Sequence, residues 1–78
     1  MRDLTVKVRR GLNVRKSPVI SDENIIGVLP YGFHFYAETL RRIPPLWWAQ
    51  DKNGQWIVVA NGRNLYVEQT NGKPLPLG

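Results

Sequence analysis

From Leu4 the chain alternates apolar and polar residues. Leu4, Val6 and Val8 fall on one side and Thr5, Lys7 and Arg9 on the other, the two-residue period of a half-buried strand. Gly11 permits a bend or bulge, after which Leu12 and Val14 resume the inward set while Asn13 and Arg15 face out. Pro18 closes this second short strand because it has no N–H to give to a ladder. Residues 17–24, carrying Ser, Pro, Asp and Asn, read as a long loop without strong local order. Ile25 to Leu29 forms the next strand, and Pro30-Tyr31-Gly32 supplies a turn in which Pro fixes φ and Gly tolerates a positive one. Phe33 to Leu40 reads as one long strand.

Arg41-Arg42-Ile43-Pro44-Pro45 is expected to be a connecting loop, since tandem prolines favour polyproline II and remove two donors. Leu46 to Asp51 and Gln55 to Ala60 flank Lys52-Asn53-Gly54, whose Asn-Gly is the strongest short hairpin signal in the chain. A second Asn-Gly, Asn61-Gly62, precedes Asn64 to Gln69 and predicts a further hairpin or tight corner. Residues 70–78 form a Pro/Gly-rich tail, expected to be extended and mobile. Six or seven short strands, at most one 3₁₀ turn and no sustained helical period make an all-β barrel the expected architecture.

Composition narrows this further. At 78 residues the chain has room for one domain, near the lower size at which a core holds without disulfides, metals or a partner. A 42% hydrophobic content with three Trp, three Tyr and two Phe argues against disorder and for an aromatic-rich core. Cysteine is absent, which removes disulfides, thiolate nucleophiles and Cys-based zinc sites together and leaves the redox compartment open. No apolar run approaches the roughly 20 residues of a membrane span, and the N-terminus lacks the apolar segment of a signal peptide, so no membrane partner is expected. The first sixteen residues hold Arg2, Lys7, Arg9, Arg10, Arg15 and Lys16 against the single Asp3, the whole formal net charge of +5. That basic cluster suits a polyanion such as nucleic acid, and it reads equally well as a solvated face.

The pattern Leu12-Asn13-Val14-Arg15…Pro18, followed by Ile26-Gly27…Leu29…Gly32, resembles the opening of bacterial SH3 (SH3b) domains. It returns as Trp48-Ala49…Asn53-Gly54-Gln55-Trp56-Ile57, although Gln55 stands where the family usually has glycine and Asp51 near an expected apolar position. The resemblance implies a small SH3-like barrel over residues 1–69, with room for an extra C-terminal hairpin, followed by the tail at 70–78. It implies a bacterial or phage origin and recognition of bacterial cell wall, with a peptide or peptidoglycan fragment as partner. Without a signal peptide, the expected setting is cytoplasmic or phage-encoded unless the chain is excised from an exported multidomain protein. The resemblance further implies a structural role for Arg15 and makes Trp48 and Trp56 a matching pair.

Trp47 and Trp48 are adjacent and must point to opposite faces of a strand, so one of them is expected to be exposed. Together with Tyr31, Tyr36 and Trp56 they are the candidate ligand residues, and with Tyr66 the outward Trp would line a shallow aromatic groove for a peptide. Lys7, Arg9, Arg10 and Lys16 form the candidate basic patch of an alternative in which the chain binds nucleic acid, or a host or virion protein. A third alternative is a structural subunit of a larger assembly. His34 is the single histidine, the serines lie in a loop and the carboxylates are scattered, so no catalytic residue, metal ligand or cofactor is assigned. The expectation is a non-catalytic binding module.

Overall fold

The computed structural model describes residues 2–77; Met1, at the head of the expected barrel, and Gly78, at the end of the expected tail, lie outside the described residues. Among the described residues nine strands run in chain order: β1 (Arg2–Val6), β2 (Leu12–Arg15), β3 (Ile25–Leu29), β4 (His34–Ala37), β5 (Thr39–Ile43), β6 (Leu46–Gln50), β7 (Trp56–Asn61), β8 (Asn64–Leu65) and β9 (Val67–Gln69). One 3₁₀ turn, Asp22–Asn24, precedes β3. All pairings are antiparallel.

These strands do not close. They form a three-stranded sheet in the order β4-β1-β9 and a six-stranded sheet in which β3-β2-β7-β6-β5 run side by side and β8 adds to β7. The expected SH3-like barrel is therefore corrected to two open sheets, and the SH3b resemblance is overturned with it. The cell-wall and peptidoglycan recognition that the resemblance implied loses its basis. The reason lies in pairing: β3 and β5 each end the larger sheet, β4 and β9 bound the smaller one, and no ladder joins these edges.

Three breaks move the chain between sheets. At Val8–Gly11 a tight turn, closed by the Gly11 N–H donating to the Val8 carbonyl at 2.9 Å, redirects the chain from β1 to β2. At Glu38 the expected long strand 33–40 splits into β4 and β5, and the Glu38 N–H donates to the Gln50 carbonyl at 2.8 Å. At Tyr66 the chain leaves β8 and enters β9 beside β1. Arg41–Ile43, expected in a loop, belong to β5 and pair with β6 in the register Arg41↔Trp48, Arg42↔Trp47 and Ile43↔Leu46. The two prolines occupy only the reversal, and the bond between them is cis.

The core lies between the sheets, as the period-two pattern requires. Leu4, Val6, Ala37 and Val67 come from the smaller sheet and Leu12, Val14, Ala49, Ile57 and Val59 from the larger, with Val8, Leu29, Phe35, Leu40 and Trp47 packed around them. His34 and Tyr36 face outward on β4 while Phe35 and Ala37 turn in. Thr5, on the outward side, is nonetheless buried, and its hydroxyl pairs with that of Thr70 at 2.9 Å. The Asn53-Gly54 hairpin forms as the sequence predicts. Asp51 organises it, its carboxylate accepting from the Asn53 and Gln55 N–H groups at 2.9 Å each.

The tail turns back onto the strands. Gly72 turns the chain, the Gln69 N–H donates to the Lys73 carbonyl at 3.1 Å, and Leu75 drops to 5% exposure inside the core, with Leu77 packed beside it. A single apolar side chain between two prolines thus completes the floor that the strands leave open. Leu75→Ala should cost about 2–3 kcal/mol in urea unfolding, the range for a truncated core leucine.

Gly11 is the other tightly specified position. Its φ is +82°, and a Cβ there would stand 2.6 Å from the Leu29 carbonyl oxygen, whereas a Cβ at Gly32, with φ +84°, meets nothing within 4 Å. Gly32→Ala should therefore cost about 1 kcal/mol of backbone strain alone. Gly11→Ala should exceed about 2 kcal/mol, because β2 and β3 must also part locally; equal losses in thermal unfolding would remove the steric argument.

Candidate ligand groove

The outer face of the six-stranded sheet carries a second set of apolar and cationic residues. Cross-strand partners share a face, and the registers Arg15↔Trp56↔Gln50 and Val58↔Trp48↔Arg41 place these side chains together on the side away from the main core. Trp48 is 1% exposed and meets Trp56 edge to face, their ring centroids 6.5 Å apart at 85°. The register shift between Trp47 and Trp48 leaves Val59 as the extra residue of a bulge on β7, directly after Val58.

Beside this aromatic pair lies a groove of about 340 Å³. Leu46 and Val58 contribute its apolar strip, β2 supplies Leu12, Asn13 and Arg15, and Arg10 stands at the β2 entrance. Ile20 reaches in from the loop at 17–24, while Asn61 and Tyr66 border it from the end of β7 and the segment after β8. The volume falls at the lower end for ligand clefts and suits one or two amino-acid side chains. A second concavity is bordered by the polar residues Arg2, Asp3, Gln69, Thr70 and Asn71, and its groups bond one another: Arg2 donates to Gln69 at 3.0 Å and Thr70 to Asp3 at 2.9 Å.

Arg15 has the role expected of it, and its partners are specific. Its side chain is 7% exposed, and Nη1 donates to the Ser21 carbonyl at 2.7 Å and to Asn24 Oδ1 at 3.0 Å. Asn24 is buried in turn, its Nδ2 donating to the Ser17 carbonyl, the Ser17 hydroxyl and the Val19 carbonyl at 2.8–3.2 Å. The loop expected to lack local order is therefore clamped from within. No carboxylate among the described residues pairs with Arg15, the single ion pair there being Lys7 with Glu68 at 3.7 Å. Since no buried side-chain nitrogen in that set lacks a partner, Nε and Nη2, which donate to no protein group, keep contact with solvent.

The sequence-derived aromatic set is dispersed. Tyr31 is exposed on the β3–β4 turn, and Tyr36 is exposed on the outer face of the smaller sheet opposite Asp3. Trp47 packs half-buried against the main core, so neither member of the Trp47/Trp48 pair stands free as expected. Opposite faces were legible; that both faces are covered was not. Of the basic set, Lys7 directly follows β1, Arg9 and Arg10 lie on the first turn, and Lys16 directly follows β2. Of these nine residues Arg10 alone lines the groove, and it is joined there by Tyr66, the further aromatic that the sequence offered. Ile20, Leu46, Val58 and Asn61 escaped sequence reasoning; Val58, two residues after Trp56 and so on its face, carried the one usable signal.

Among the described residues no three His, Cys, Asp or Glu side chains gather as a metal site, and no helix is long and apolar enough to cross a membrane. Comparison with protein-family models, curated proteins and solved structures finds no match to this chain.

Removing either member of the Arg15–Asn24 pair leaves the other buried with too few partners. Arg15→Met and Asn24→Ala should each lower stability by about 2 kcal/mol, with the double variant losing less than their sum by about 1 kcal/mol. Amide exchange over residues 17–24 should quicken in both; strict additivity would dissolve the coupling.

Proposed function

We propose that this chain is a non-catalytic binding module whose groove takes a peptide-type ligand, seating a ligand carboxylate at Arg15 and Arg10 and an apolar neighbour over Leu46 and Val58. The observation that carries this reading is the meeting, in one concavity, of an apolar strip and a guanidinium held in place without an acidic partner. The Nη1 bonds to Ser21 and Asn24 fix the guanidinium plane in advance, so little side-chain entropy is lost when a carboxylate docks on the remaining edge. Asn13 and Asn61 supply neutral donors and acceptors suited to peptide amides.

Peptides pairing an acidic residue with an adjacent Leu or Phe should shift the amide signals of Asn13, Val58 and Asn61 in an NMR titration. The same peptides with Gln in place of Glu should bind roughly tenfold more weakly, as should the acidic peptides to Arg10→Glu. Equal affinity for acidic and neutral peptides would refute the carboxylate seat. Steeply salt-dependent binding of DNA, lost on Arg9→Glu, would favour the polyanion reading instead.

A further inference from the structure

Among the described residues, six of the eight exposed large hydrophobic side chains lie between Val19 and Phe33, concentrated on and around β3 rather than spread over the surface. On β3 itself Ile26 and Val28 are 50% and 57% exposed. β3 is also a terminal strand of the larger sheet, paired with β2 on one side only. The other long edges are blunted: β5 carries Arg41 and Arg42, β4 carries His34 and stops just before Glu38, and β9 carries Glu68 and is covered by the returning tail. Such devices keep edges from pairing. The β3 sequence Ile25-Ile26-Gly27-Val28-Leu29 has no charge, and its sole irregularity is the bulge at Ile26.

We infer that the β3 edge binds a second copy of this chain, the two β3 strands pairing antiparallel about a twofold axis beside Gly27. The twofold sets Ile26 of one copy opposite Val28 of the other, so each exposed side chain gains an apolar partner, and it joins the two larger sheets into one. Charge selects this arrangement over the alternatives. Asp22 and Glu23 lie just before β3, with Lys16, whose N–H donates to the Asn24 carbonyl, offsetting one of them. At the other end Gly11 packs against Leu29, which brings the Arg9-Arg10 turn to the finish of the strand. Antiparallel pairing carries the acidic end of each strand to the basic end of the other, twice per dimer. Parallel pairing would set like against like.

Sedimentation velocity on the full chain, from micromolar to millimolar, tests this. The mass should double with concentration, and dissociation should follow added salt. Val28→Lys, on an already exposed side chain, should leave circular dichroism unchanged and give monomer throughout. Arg9→Glu and Glu23→Lys should each weaken the dimer roughly tenfold, two exposed ion pairs being lost, and the double swap should restore it. A monomer at every concentration, a dimer indifferent to Val28→Lys, or a double swap without recovery would each overturn the inference.

Discussion

A cation buried against neutral oxygens governs one end of this molecule. Drawing most of the Arg15 side chain out of water is costly, and without a carboxylate the cost is met at Nη1 by the Ser21 carbonyl and the Asn24 amide oxygen, which must both be in position. Asn24 can serve only because its own amide is held by Ser17 and Val19, so the oxygen atoms around one side chain fix the path of an entire loop. Ile20, on that loop, is thereby held over the sheet, and β3 begins immediately afterwards. The wall of the groove and the entry to the edge strand both follow from how one arginine is satisfied.

The remaining architecture is a solution to small size. A chain of 78 residues has little interior to fill, and the larger sheet uses both its faces. One face meets the smaller sheet through Ile57, Ala49 and Val59; the other packs Trp48 against Trp56 with Val58 and the Arg41 stem alongside. Trp48 is 1% exposed on that face, with Trp56 edge to face against it and Val58 and Arg41 as its neighbours on the adjacent strands. The groove is where this covering stops.

Inward positions were legible wherever the pattern was local. Leu4, Val6, Leu12 and Val14 alternate with polar neighbours, and Asn53-Gly54 marks its hairpin without help from elsewhere. Sheet closure was not legible, since the same strands can end as a barrel or as two open sheets, and the choice rests on pairings between residues far apart in sequence. Arg41–Ile43 lack a clean period of two, and the adjacent prolines outweighed their pairing with β6. Leu75 stands alone between prolines, where no periodicity can speak for it. The groove suffered most: Arg10 and Arg15 drew attention by charge, while Ile20, Leu46, Val58 and Asn61 come from separate segments that only the fold brings together.

The central position of β1 bears on how the smaller sheet comes together. The strand sits between β4 and β9, with Leu4 facing Phe35 on one side and Gln69 on the other. Loop-closure entropy makes the pairing with β9 the slower to nucleate, since it joins segments much further apart in sequence than the pairing with β4. Half of the ladder on β1 therefore waits on the most distant contact in that sheet, and completing it is a late event in folding.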